Sequence, residues 1–242
     1  MRGKLSVAAA LAAACWCTPA TSSAALLINE VDSDTANVPS TDFAEFVELY
    51  DSSGGSVPLD GFVLIFYNGS NDRAYAGFDL DGFSTSATGY FVAGAVAGAQ
   101  LAITSNTIQN GADSIALYQG DLSSFVTTNN TSATLITAPP AGPILIDAVV
   151  YDTGADTDGT NHPGAMLLSG GVVDEFGPTQ DSTFGANNSI GRDPNGSGDA
   201  RSTLTYTNMT PTPGAANVVP EPASLSLLAA GALLLGRRRR RA

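Results

Sequence analysis

The chain has 242 residues and a formal charge of −13, with 23 acidic side chains against ten lysines and arginines. Seven of those cations lie in the two terminal segments, so from Leu26 to Val218 22 acidic residues face only Arg73, Arg192 and Arg201, a net of −19 with no lysine. Such a surface repels phosphate backbones, which argues against nucleic-acid partners, and it favours solubility and divalent cations.

Residues 1–25 read as a secretory signal. Met1–Lys4 is basic, Leu5–Cys17 is apolar, and Ser22-Ser23-Ala24-Ala25 supplies the small residues that signal peptidase accepts. The pattern predicts a signal helix that is removed on export. Both cysteines, Cys15 and Cys17, belong to it, so the remaining chain has no disulfide and no cysteine metal site. Its core must stabilise it alone, and residues 26–217 are enough for one core.

Short apolar and aromatic runs then recur between turn residues, without a long 3.6-residue period. They predict strands at 26–31, 43–50, 62–67, 75–80, 90–93, 114–118 and 144–151. Gly, Asp, Asn and Ser separate them, as in Asp51–Gly55 and Asn68–Asp72. Weaker strand signals lie at 165–168 and 189–191. The fold class expected is all-β, an antiparallel β-sandwich. Residues 119–143 and 152–188 read as insertions, the first Thr/Asn-rich with Pro139-Pro140, the second Gly/Asp-rich.

Three glutamates lie inside strand-like runs: Glu30, Glu45 and Glu48. Glutamate is a poor strand residue. Either they face solvent on an open sheet face, or one is partly buried and paired. Arg192 sits in the strand-like closing run, and with cations so scarce it is expected to hold a specific carboxylate. Glu45 and Glu48 are the candidates for that structural ion pair.

These segments resemble the lamin-tail domain. The opening is carried by Leu27-Ile28-Asn29-Glu30-Val31, Ala44–Tyr50 and Val57-Pro58-Leu59-Asp60-Gly61-Phe62. The close is carried by Ser189–Gly196 and Thr212–Asn217. The resemblance spans residues 26–217 and implies an immunoglobulin-like β-sandwich of the kind found in nuclear lamins and in secreted bacterial proteins. It implies a binding or scaffold role, not a reaction. The two insertions depart from it.

Chemistry-bearing patterns are sparse. The single histidine, His162, precedes Pro163 in a Gly-rich loop, and no nucleophile motif or clustered metal ligands accompany it. The chain is therefore read as no enzyme and as needing no cofactor, with Ca²⁺ as the one ion its loops could hold. Asp193, Asn195, Ser197 and Asp199 alternate as in the first half of a calcium loop, but Leu204 stands where a bidentate Glu belongs. Asp152, Asp156 and Asp158 make a second oxygen-rich loop. The plain reading of each is an ordinary Asx turn.

The chain closes on Pro220-Glu221-Pro222, an apolar run over 223–236, and Arg237, Arg238, Arg239, Arg240 and Arg241. The run would form a membrane helix of roughly 21 Å, short for a lasting span. The arginines would stay cytoplasmic and keep the body outside. The order of parts in residues 218–242 resembles the PEP-CTERM sorting signal of Gram-negative bacteria, which exosortase recognises. That resemblance implies transient anchoring in the inner membrane, removal of the anchor, and delivery to the cell surface or exopolysaccharide matrix, with exopolysaccharide or surface proteins as partners. The expected function is a non-enzymatic exported surface or matrix protein. The alternatives are a secreted carbohydrate-active or nucleic-acid-processing enzyme, or a Ca²⁺-dependent adhesion module.

Overall fold

Among the described residues ten strands and one short 3-10 turn form, most of them on the alternating runs of the sequence. The computed structural model describes residues 26–33, 44–109, 113–125, 134–135, 138–151, 167 and 189–217. Residues 1–25 and 218–242 lie outside the described residues, and with them the signal helix, the Pro220–Pro222 motif, the apolar helix and the arginine cluster. So do Asp152, Asp156, Asp158 and His162. Among the described residues no helix is long and apolar enough to cross a membrane.

The strands are β1 (Leu26–Asp32), β2 (Phe46–Asp51), β3 (Phe62–Asn68), β4 (Arg73–Asp79), β5 (Tyr90–Gly94), β6 (Leu101–Ala102), β7 (Asp113–Gln119), β8 (Ile144–Tyr151), β9 (Ser189–Arg192) and β10 (Tyr206–Met209). They form two sheets. One runs β10-β9-β1-β2-β5-β6 and the other β4-β3-β7-β8. All pairings are antiparallel except β5 with the short β6. The all-β expectation holds. β6 and β10 were not legible beforehand. β10 is only Tyr-Thr-Asn-Met and takes its shape from the free edge of β9.

The core lies between the sheets. Ile28, Val31, Val47, Leu49 and Phe91 come from the first, and Leu64, Phe66, Ile115, Leu117 and Val149 from the second. All are nearly or wholly buried, and each fully buried large side chain contributes about 1.5–3 kcal/mol.

The alternate residues of β3 do not face water. Val63, Ile65 and Tyr67 join Ala116, Tyr118 and Ala148 in a second apolar cluster on the outer side of the four-stranded sheet. The insertions cover it. After Asp121 caps the 3-10 turn Leu122–Ser124, Phe125 tucks under the sheet against Tyr118, ring centroids 4.7 Å apart, and Leu167 of the second insertion packs there too. A sheet apolar on both faces needs such a cover.

Candidate functional site

Polar chemistry concentrates where β1 breaks its pairing. A β-bulge leaves Asn29 and Glu30 together opposite Glu48, and β9 pairs with β1 only at Glu30 and Val31. The N–H and C=O of Ile28 are left for side chains to satisfy. Asp147 of β8 accepts the Ile28 N–H at 2.9 Å, and Arg192 of β9 donates Nε–H to the Ile28 carbonyl at 2.9 Å. The two side chains then join each other, Arg192 Nη2 to Asp147 Oδ2 at 3.0 Å, with neither exposed.

This corrects the expected ion pair. Arg192 holds a specific carboxylate, but it is Asp147, not Glu45 or Glu48. Asp147 also accepts the N–H groups of Ala148 and Arg201. Burial pushes its carboxyl up from the ordinary range, while Arg192 and the three N–H donors pull it back. Arg192 uses its remaining nitrogen on the carbonyls of Ser197 and Asp199, at 2.7 and 3.2 Å, and lies over the Tyr206 ring at 4.9 Å. A lone Asp in the apolar run Ile144–Tyr151 was the signal that could have found it.

The strand glutamates are all buried, so the open-face reading fails for each. Glu45 sits inside a turn that points three backbone N–H groups at it, those of Asn106, Thr107 and Ile108, at 3.0 to 3.1 Å. Glu30 and Glu48 face each other across β1 and β2. Glu48 alternates with core-facing Val47 and Leu49, as an open face requires. That face is instead covered by the closing segment, residues 210–217.

The closing segment is held by those two carboxylates. The Thr212 N–H and hydroxyl donate to Glu30 at 2.9 and 2.8 Å, and the Gly214 N–H donates to Glu48 at 2.6 Å. Ser189 also donates its hydroxyl to Glu30, and Asn29 donates Nδ2–H to Glu48 at 2.8 Å. Asn217 completes the seam through Nδ2–H to the Arg192 carbonyl at 2.7 Å. Gly191 permits this approach: a Cβ there would stand 2.7 Å from Asn217 Nδ2. Burial raises the Glu30 carboxyl, and burial with the charge of Glu30 pushes Glu48 up to about 8.

The loop Asp193–Asp199 lies beside this seam. Its Asn195 Oδ1 accepts the Asn217 N–H at 2.7 Å, and its Ser197 carbonyl accepts Arg192 and Thr205. Asp193 and Asp199 themselves are exposed. Of the four oxygen residues anticipated as calcium ligands, Ser197 and Asp199 turn their carbonyls to Arg192, and Asn195 turns its side chain to Asn217 and Tyr90. Among the described residues no group of three or more His, Cys, Asp or Glu converges.

The seam ends at Asn217, and the next residue opens a recognised motif. Residues 218–241 match the family model described as the PEP-CTERM protein-sorting motif. The chain carries an exosortase sorting signal. It is an exported protein processed by exosortase. The motif covers the tail alone, and no family match supports the lamin-tail resemblance of residues 26–217. No curated protein and no solved structure matches the chain.

Proposed function

We propose that this is a non-enzymatic surface or extracellular-matrix protein, whose residues 26–217 form an immunoglobulin-like, lamin-tail-like sandwich with a binding or scaffold role. Its signal is removed by signal peptidase, its tail anchors it briefly in the inner membrane, and exosortase releases it toward the surface or matrix. The observation that carries this reading is the continuity of the seam with the sorting motif: a folded body closes at Asn217 and the motif follows at once. The residues behind the lamin-tail resemblance also coincide with the buried polar seam. Asn29-Glu30, Glu48, Arg192 and Thr212–Asn217 spend their polar groups on one another and on the backbone. That is structural work, and it supports a scaffold over a reaction centre.

The test is intact-mass measurement of the protein released to the cell surface, with recovery of whatever co-purifies from the matrix. Loss of residues 1–25 and of everything beyond the Pro220–Pro222 region supports the reading. A released protein with its full tail sinks it. Hydrolysis of polysaccharide or nucleic acid by the purified chain would favour the enzyme reading instead.

A further inference from the structure

Glu30 and Glu48 are two buried carboxylates directly opposite each other in one strand pair, and among the described residues neither has an ion-pair partner. Like charges in that position cannot both be held without a large cost. The groups around them offer no relief. From β9 comes Arg192, whose guanidinium is committed to Asp147 of β8, to Ile28 and to the 197–199 carbonyls. From β5 comes Tyr90, whose phenol is pushed up to about 12 by burial and then by Glu48 and Tyr50, and so is neutral. The 193–199 loop presents exposed Asp193 and Asp199, which add negative charge. The covering segment, Thr-Pro-Thr-Pro-Gly-Ala-Ala-Asn over 210–217, has no titratable side chain.

We propose that Glu30 and Glu48 form a proton-dependent latch on the closing segment 210–217, docked while the pair shares a proton and released when that proton passes to water. The two prolines, Pro211 and Pro213, have no N–H, so the segment's hold on the pair runs through Thr212 and Gly214. Rising pH leaves two negative charges in a seam that burial has stripped of water, and undocking rehydrates both. The direction agrees with the raised carboxyls of Glu30 and Glu48. Because the sorting motif begins at residue 218, release would add eight residues of tether, up to roughly 26 Å, between body and motif. The latch would thus set how far the folded body stands from the sorting motif.

The experiment uses the full chain and reads amide exchange at Thr212 and Gly214 from about pH 5 to 9, corrected for intrinsic exchange. β3 amides serve as the reference for global opening. The expected result is a loss of protection at Thr212 and Gly214 of at least about tenfold, the effect of one pKa unit, at a pH where β3 stays far better protected than either. Glu48→Gln should flatten that dependence. In parallel, glutamate-selective carbon-13 labelling reads the five side-chain carboxyls of the wild type, so the idea stays testable if the variant does not fold. Two of the five should go on titrating above the ordinary carboxylate range, as the shared proton leaves the pair. Five carboxyls titrating together, pH-independent protection at Thr212 and Gly214, or exchange of these two amides no faster than β3 at every pH would each overturn the latch.

Discussion

Arg192 and Asp147 lie 45 residues apart in sequence and meet at 3.0 Å, each with no exposed surface, where the edge of one sheet approaches the other. The pair does more than neutralise charge. Between them the two side chains satisfy both backbone groups of Ile28, which face the side where β9 no longer pairs with β1. Removing one partner strands a buried charge and a backbone group together. Arg192→Met is expected to cost about 3–5 kcal/mol in urea unfolding. Arg192→Lys should recover less than half of it, because an ammonium cannot copy the planar fork that reaches Ile28, Asp147 and Ser197 at once. A cost below about 1 kcal/mol for Arg192→Met would show that the pair is idle.

The outer face of the four-stranded sheet makes the first insertion structural. Phe125 is 1% exposed and packs its ring, tilted by 49°, against Tyr118. Phe125→Ala should therefore destabilise the whole domain by about 3–5 kcal/mol rather than loosen a loop. Thermal unfolding of the variant checks this. If the melting temperature stays within error of the wild type, the insertion is a dispensable surface loop.

Stability should fall as pH rises from weakly acidic to weakly alkaline. In the unfolded chain glutamate ionises near 4.5, whereas in the fold Glu48 keeps its proton up to about 8, and Glu30 is raised as well. Across that window the native state binds more protons than the unfolded one, so each step up in pH favours unfolding. The stabilisation is complete below about 4.5 and gone above about 8, on the order of a few kcal/mol for Glu48. Urea unfolding of the wild type and of Glu48→Gln across this range isolates the contribution as their difference. A difference that does not vary with pH, or that grows in the wild type's favour as pH rises, would contradict it.

Calcium offers a different contrast. Arg192 already donates to the Ser197 and Asp199 carbonyls, so its charge opposes a cation in the 193–199 loop. Asp193→Ala is expected to leave any calcium-dependent rise in melting temperature unchanged. Asp156→Ala should reduce it if residues 152–158 are the site. Magnesium at matched concentration is the control, since diffuse screening treats the two ions alike while a flexible oxygen cage favours calcium. A calcium-specific response lost in Asp193→Ala would put the ion where Arg192 points.

Much of this protein was written locally. Alternation and turn residues located seven of the strands, because a half-buried strand must place apolar groups at every second position. Composition excluded thiol chemistry from the body. The order Pro-Glu-Pro, apolar run, arginines identified the tail, because a processing enzyme reads contiguous residues and needs no fold to present them. What the chain could not disclose were relations between distant segments. Glu48 alternates with Val47 and Leu49 as a solvent-facing residue should, and only the return of residues 210–217 over that face buries it. Arg192 clearly required a carboxylate, yet 22 acidic residues were available between Leu26 and Val218. The choice of Asp147 followed from where β9 leaves β1: short of Glu30 the backbone of Ile28 is open on that side, and Asp147 from the edge of the second sheet fills it. Periodicity tells a residue which side of its own strand it lies on; what lies against that side is decided by packing between segments far apart in the chain.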